Sequence, residues 1–128
     1  MQFMLDTSVC VDLLRGRVAK ARLPAPSECA LSVITVAELE VGIRRSVRPA
    51  AQRKAVEAFT DLFDVLPWDL QATGHYGELR VDLEKRGLVI GPLDMLIAAH
   101  ARRLGSTLVT ANVREFRRVA GLACFEWK

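Results

Sequence analysis

The sequence predicts an α/β fold with a central parallel sheet and helices on both faces. Two observations carry this expectation. Short apolar runs of strand length alternate with stretches whose apolar residues recur at helical spacing, a pattern that suits crossovers between parallel strands rather than hairpins. The 128 residues, 51% of them apolar, fit one domain around one core. Nothing in the chain reads as an internal repeat, a linker or a low-complexity segment.

Taken in order, Gln2 to Leu5 reads as a buried strand. A helix follows from Thr7 or Ser8 through Leu14 and stops at Arg15-Gly16 by a glycine signal. Pro24 and Pro26 mark a loop before a second strand at Cys29 to Ile34. Thr35 to Arg45 is helical, with Val36, Leu39 and Ile43 at helical spacing. Pro49 restarts the chain, Ala50 to Leu62 forms another helix, and Phe63 to Leu66 is a third strand ended by Pro67. Leu70 to Arg86 is a long amphipathic helix stopped by Gly87, with Gly74 and Gly77 weakening its first half. Gly91-Pro92 opens the apolar helix PLDMLIAAHA, which ends at Leu104-Gly105. Thr107 to Thr110 is a fourth strand, Val113 to Arg118 a short helical turn, and Ala123 to Trp127 a last strand.

The net charge of +3 permits an anionic partner without requiring one. The cysteines, Cys10, Cys29 and Cys124, are odd in number and none are at C-x-x-C spacing, so neither a disulfide framework nor a zinc site is indicated. Cys10 and Cys29 sit in apolar runs and read as small hydrophobes. This usage suits a reducing cytoplasm. The opening MQFMLDTSVC has no basic leader, and no apolar run approaches the length of a membrane span, so no signal peptide and no membrane are expected.

Ligands of open parallel sheets bind beyond the carboxyl ends of the strands. Asp6 directly follows the first strand, Glu38 lies a helical turn beyond the second, and Asn112 follows the fourth. Asp94 heads the helix leading into the fourth strand, so it arrives at the same edge. Each has a structural reading too. Asp6 could cap the next helix. Thr35-x-x-Glu38 matches a capping box, and Asn112-x-x-Glu115 resembles one. Asp94 could answer the helix dipole. Together, three carboxylates at one edge repel one another and raise one another's pKa. A divalent cation relieves that repulsion, and an all-oxygen donor set suits Mg²⁺. Such a metal at an acidic notch points to phosphodiester hydrolysis.

The stretches LDTSV, T-x-AELEVG, GPLDMLIAAHA and LVTANVREF followed by GL resemble, in order and spacing, the motifs of PIN-domain ribonucleases. The wording of AELEVG and IAAHA is most similar to VapC-type toxins of VapBC toxin–antitoxin pairs. The resemblance spans essentially the whole chain. It implies a PIN-like three-layer sandwich and an endoribonuclease dependent on Mg²⁺ or Mn²⁺. By motif position, Asp6, Glu38 and Asp94 would be the metal ligands and Asn112 the fourth catalytic position, where an amide replaces the aspartate of many relatives. Ser8 and Thr110 would orient carboxylates or water, and Glu115 would assist through water or serve as a cap. Leu93 stands where relatives commonly carry a polar residue. His100 reads as a satisfied helix histidine. The resemblance also implies an RNA substrate, a homodimer and a cognate VapB-like antitoxin that lays a peptide across the notch. A catalytically weak RNA- or partner-binding module is the alternative, with Asn112 marking lost catalysis.

Arg44, Arg45, Arg48, Arg53 and Lys54 form one basic cluster, and Arg15, Arg17, Lys20 and Arg22 another. Either could bind phosphates or simply be solvated. Arg102 and Arg103 are expected to answer the negative end of their helix. Val36, Ile43, Val56 and Phe59 could line a partner groove or belong to the core.

Overall fold

The computed structural model describes residues 2–17 and 23–127. Five strands form one sheet in the order β3-β2-β1-β4-β5, every pair parallel. They are β1 (Phe3–Leu5), β2 (Cys29–Ser32), β3 (Asp64–Leu66), β4 (Thr107–Thr110) and β5 (Cys124–Glu126). The helices are α1 (Thr7–Leu14), α2 (Val33–Arg45), α3 (Pro49–Thr60), α4 (Leu70–Arg86), α5 (Pro92–Leu104) and α6 (Val113–Phe116), with a 3-10 turn at Pro26–Glu28. The expected alternation and the parallel sheet are both present.

Side chains alternate across the pleat and build two cores. Met4 and Leu108 point to the face covered by α4, α5 and α6, where they meet Leu79, Leu83, Met95, Ile97 and Phe116. Their neighbours Leu5 and Val109 point to the other face, where Leu31, Val9, Leu39, Ile43 and Val56 close over them from β2, α1, α2 and α3. Ile43 and Val56 are thus core residues, and Phe59 packs against the same core. α5 buries Met95, Ile97, Ala98, Ala99, His100 and Ala101, because α4 and α2 pack against it as well as β4. Its alanines keep that crowded packing possible. Gly87 and Gly105 end α4 and α5 at φ +66, a left-handed turn that a side chain disfavours.

Several element boundaries differ from the expected ones: β1, β3 and β5 are shorter by a residue at one or both ends, α6 stops at Phe116 rather than Arg118, and two differences are larger in consequence. β2 ends at Ser32 rather than Ile34, because Ser32 Oγ accepts the Ile34 amide at 3.1 Å and caps α2. The apolar run CALSVI therefore changes from strand to helix in its middle. Thr35 lies inside α2, so the Thr35-x-x-Glu38 capping box is not made. α3 begins at Pro49 and ends at Thr60, leaving Leu62 exposed.

Cys10 and Cys29 are buried apolar packing, as expected, and burial pushes the Cys29 thiol up to about 11. His100 is satisfied inside the fold. Its Nδ1 lies 2.8 Å from Ser32 Oγ, and Pro67, whose only backbone hydrogen-bonding group is a carbonyl, accepts from the ring. Burial holds its pKa below the ordinary value, so the neutral ring donates to Pro67 and accepts from Ser32. Arg102 does more than answer the α5 dipole. It donates to the His75 ring at 2.9 Å, to Glu78 at 2.8 Å and to the Ala120 carbonyl at 3.0 Å, clamping α4 and the segment after α6 onto α5. No helix among the described residues is long and apolar enough to cross a membrane. Lys20 and Arg22 of the second basic cluster lie outside the described residues.

Candidate active site

The chain runs outward from β1 through β2 to β3, then returns across the sheet to build β4 and β5 on the other side of β1. Strand order thus reverses between β1 and β4, and a crevice opens beyond their carboxyl ends. Asp6 and Asn112 stand at that crevice, and Asp94 is brought to it by the first turn of α5.

Asp6 is only 2% exposed, and its carboxylate is held by three donors. Oδ1 accepts the Thr7 amide at 2.8 Å, capping α1. Oδ2 accepts from Ser8 Oγ at 2.7 Å and from Thr110 Oγ1 at 2.8 Å. Those hydroxyls in turn take backbone amides beyond β4, Ser8 from Ala111 at 3.2 Å and Thr110 from Asn112 at 2.9 Å. The Asp6 amide donates to the Val109 carbonyl at 2.9 Å, so the residue is still pinned to the strand ladder. A buried charge needs such partners. Here they also lock the end of β1 to the end of β4. Ser8 and Thr110 thus both hydrogen-bond the same oxygen of the Asp6 carboxylate.

Glu38 is oriented by a residue the sequence reading left without a role. Thr7 Oγ1 donates to Glu38 Oε1 at 2.7 Å and shares a 3.1 Å hydrogen bond with the buried Thr35 hydroxyl. Thr7 thus touches Asp6 through its backbone and Glu38 through its side chain. Thr35 lies three residues before Glu38 on the same face of α2, which is the one signal that could have found it. Thr7→Val is expected to weaken divalent-ion affinity roughly 10- to 100-fold, and Thr7→Ser to restore it. Calorimetric titration with Mn²⁺ checks this, and a valine variant that binds like wild type would refute the role.

Asp94 is half-buried. Burial first, then the charges of Asp6, Glu115 and Glu38, push its carboxyl up to about 6, and a hydrogen bond with Glu115 adds to the rise. These are the neighbours that the sequence placed at one edge. The Glu115 carboxyl turns toward Asp94 instead of capping, since the Asn112 amide already belongs to Thr110. Asn112 itself is exposed, and its side chain makes no capping bond to α6. Behind Asp94, Gly91 stands so close that a Cβ built on it would touch Oδ2 at 3.4 Å, an ordinary van der Waals contact. Among the described residues, no three acidic, histidine or cysteine side chains are drawn together as a ready-made chelate.

The model of the PIN domain family matches residues 3–122. The chain is 37% identical over 131 aligned residues to the tRNA(fMet)-specific endonuclease VapC of Shigella flexneri, covering 99% of this chain and 98% of that protein. It is 34% identical to ribonuclease VapC2 of Rickettsia felis, with the same coverage. Among solved structures, VapBC of Salmonella typhimurium bound to DNA matches with a TM-score of 0.95 at 35% identity, over 100% of this chain and 99% of that one. VapBC2 of Rickettsia felis bound to a promoter DNA fragment matches with a TM-score of 0.93 at 34% identity, over the full length of both chains. With its motifs, its sheet order and its acidic crevice agreeing with these full-length matches, the chain belongs to the PIN-domain family, among the VapC-type ribonuclease toxins of toxin–antitoxin pairs.

Proposed function

We propose that this ribonuclease is a divalent-metal-dependent endoribonuclease whose site is formed by Asp6, Glu38, Asp94 and Asn112. The observation that supports it most is the raised Asp94 carboxyl, at about 6, in a half-buried crevice shared with three other acids. Capping and dipole roles do not need that concentration of like charge. Mg²⁺ or Mn²⁺ fits the donor set, which is oxygen throughout. Mg²⁺ keeps several waters and commonly takes one or two protein carboxylates, so no preformed cage is required.

Asp6, Glu38 and Asp94 would hold the ion, and Asn112 would offer an amide oxygen without charge. When bound, such an ion supplies a polarised phosphate and a water of lowered pKa. The protein's own contribution is orientation. Ser8 and Thr110 fix one Asp6 oxygen, and Thr7 fixes Glu38. The like charges around Asp94 hold its carboxyl up at about 6, a repulsion that a bound cation would relieve. Buried His100 is already committed to Ser32 and Pro67, so it is not available as a base.

A short transfer RNA is the first substrate to test, by analogy with the Shigella relative. Cleavage is expected with Mg²⁺ or Mn²⁺ and is expected to stop with a chelator. Cleavage that persists in chelator would overturn the metal mechanism, and RNA retention without cleavage would favour a binding module. The relatives solved as VapBC complexes support a VapB-like antitoxin partner, and the family resemblance supports a homodimer, to be read from light scattering of the toxin alone. The free thiols of Cys10, Cys29 and Cys124 suit action in the cytoplasm.

A further inference from the structure

α1 and α2 leave neighbouring parallel strands at the same edge, so they start together at the acidic crevice and run away from it side by side. Between them and α3 lies a groove of about 450 Å³. Its α1 wall carries Thr7, Val11 and Arg15, and its α2 wall carries Glu38, Gly42 and Arg45. Both series step by about a turn, so each wall presents one helix face. One end of the groove is therefore the catalytic edge. The other end is basic, and on α2 it lies seven residues on, roughly 10 Å away.

The arginines nearby are not equivalent. Arg44 and Arg53 share the one Glu40 carboxylate, each at 2.8 Å, which offsets one of their two charges, and neither lines the groove. Among the described residues, Arg15 and Arg45 make no such ion pair, and both are exposed. The helix ends account for a preference for cations there. They do not account for Gly42. This glycine sits in the middle of α2, where alanine would be better by about 1 kcal/mol. A Cβ there would meet nothing within 4 Å, so nothing in the fold requires its absence. Its lack of a side chain does keep the groove open one turn from Glu38, which allows a ligand close to the backbone.

We infer that this groove seats the single-stranded RNA flanking the cleaved bond, with Arg15 and Arg45 each holding a backbone phosphate and Gly42 admitting a ribose or base between them and Glu38. The inference rests on the ribonuclease reading of the crevice. It favours RNA over an antitoxin peptide because unspent positive charge stands at the end of a track that begins at the phosphodiester-cleaving acids.

The test uses the full chain and a fluorescein-labelled single-stranded RNA. Binding is followed by anisotropy in chelator across a salt series, and cleavage separately with Mg²⁺. Arg15→Gln with Arg45→Gln is expected to weaken binding about tenfold or more and to reduce the log–log salt slope by about 1.4, or 0.7 per phosphate. In cleavage, KM should rise with kcat little changed. Gly42→Leu should weaken RNA binding while Mn²⁺ affinity stays as in wild type, and Arg44→Gln should change neither affinity nor slope. An unchanged affinity and slope in the double arginine variant would overturn the inference, including the case in which that variant instead loses antitoxin, which would make the groove a peptide site. Because anisotropy needs no turnover, a protein that binds through the groove yet never cuts would fail the nuclease reading alone.

Discussion

Asp6→Asn is expected to lower RNA cleavage on the order of a thousandfold, about 4 kcal/mol of barrier, while the protein still folds. The two halves of that expectation come from the two oxygens. Oδ1 caps α1 by accepting the Thr7 amide, and an asparagine caps nearly as well. Oδ2 accepts from both Ser8 and Thr110, and an amide nitrogen in its place cannot accept. The hydroxyls must rearrange, at a cost of about 1–3 kcal/mol in stability. The negative charge that would face a cation is gone as well. Cleavage rates at saturating Mg²⁺, beside a circular-dichroism melt, separate the effects. A folded variant that retains a tenth or more of wild-type activity would remove Asp6 from the ligand set. Asp6→Ala should melt lower than Asp6→Asn, because it loses the cap too.

The fold was largely legible because its signals are local. Strand-length apolar runs alternate with helical periods, and the glycines at Gly87 and Gly105 end helices in the conformation that glycine favours. The strand-to-helix change at Ser32 was not legible. CALSVI is apolar enough for either state, and the deciding contact is one serine hydroxyl on one amide. The acidic residues were legible for a topological reason: in a parallel sheet, residues just past strand ends share an edge whatever the strand order. The order itself, which sets β1 beside β4, depends on which runs pair, and no single run encodes that. Thr7 and Thr35 were missed because their role is a contact across 28 residues, made only once α1 and α2 stand side by side. Glu115 was read more readily as a cap, because the competing claim of Thr110 on the Asn112 amide is tertiary.

Asp94→Asn should raise the melting temperature of the metal-free protein at pH 7 and abolish both its response to Mg²⁺ and its cleavage activity. The Asp94 carboxyl sits at about 6 in the fold against an ordinary 3.8. Between those values the folded state holds more protons than the unfolded state, so this group's contribution to stability falls as pH rises through the window. Above about pH 6 the folded protein carries the full penalty of a charged carboxylate beside Asp6, Glu115 and Glu38. Asparagine keeps the shape and removes the charge. Allowing for solvent screening at a half-buried site, the gain is about 1–2 kcal/mol, or roughly 5 °C in melting temperature. Below about pH 4 the difference should vanish, because the wild-type carboxyl is then neutral in both states. Mg²⁺ reverses the order: a ligand bound only by the folded state stabilises wild type as its concentration exceeds Kd, and the variant lacks the charge to bind it. Melts across pH 4–8, with Mg²⁺ or chelator, read both effects. If the variant gains as much from Mg²⁺ as wild type does, Asp94 is no ligand. If the two melt alike without metal at pH 7, the crowding of charge around Asp94 is not what the crevice stores. Only the paired outcome, stability gained without the ion and lost relative to wild type with it, ties the strained charge to a cation that the site is built to receive.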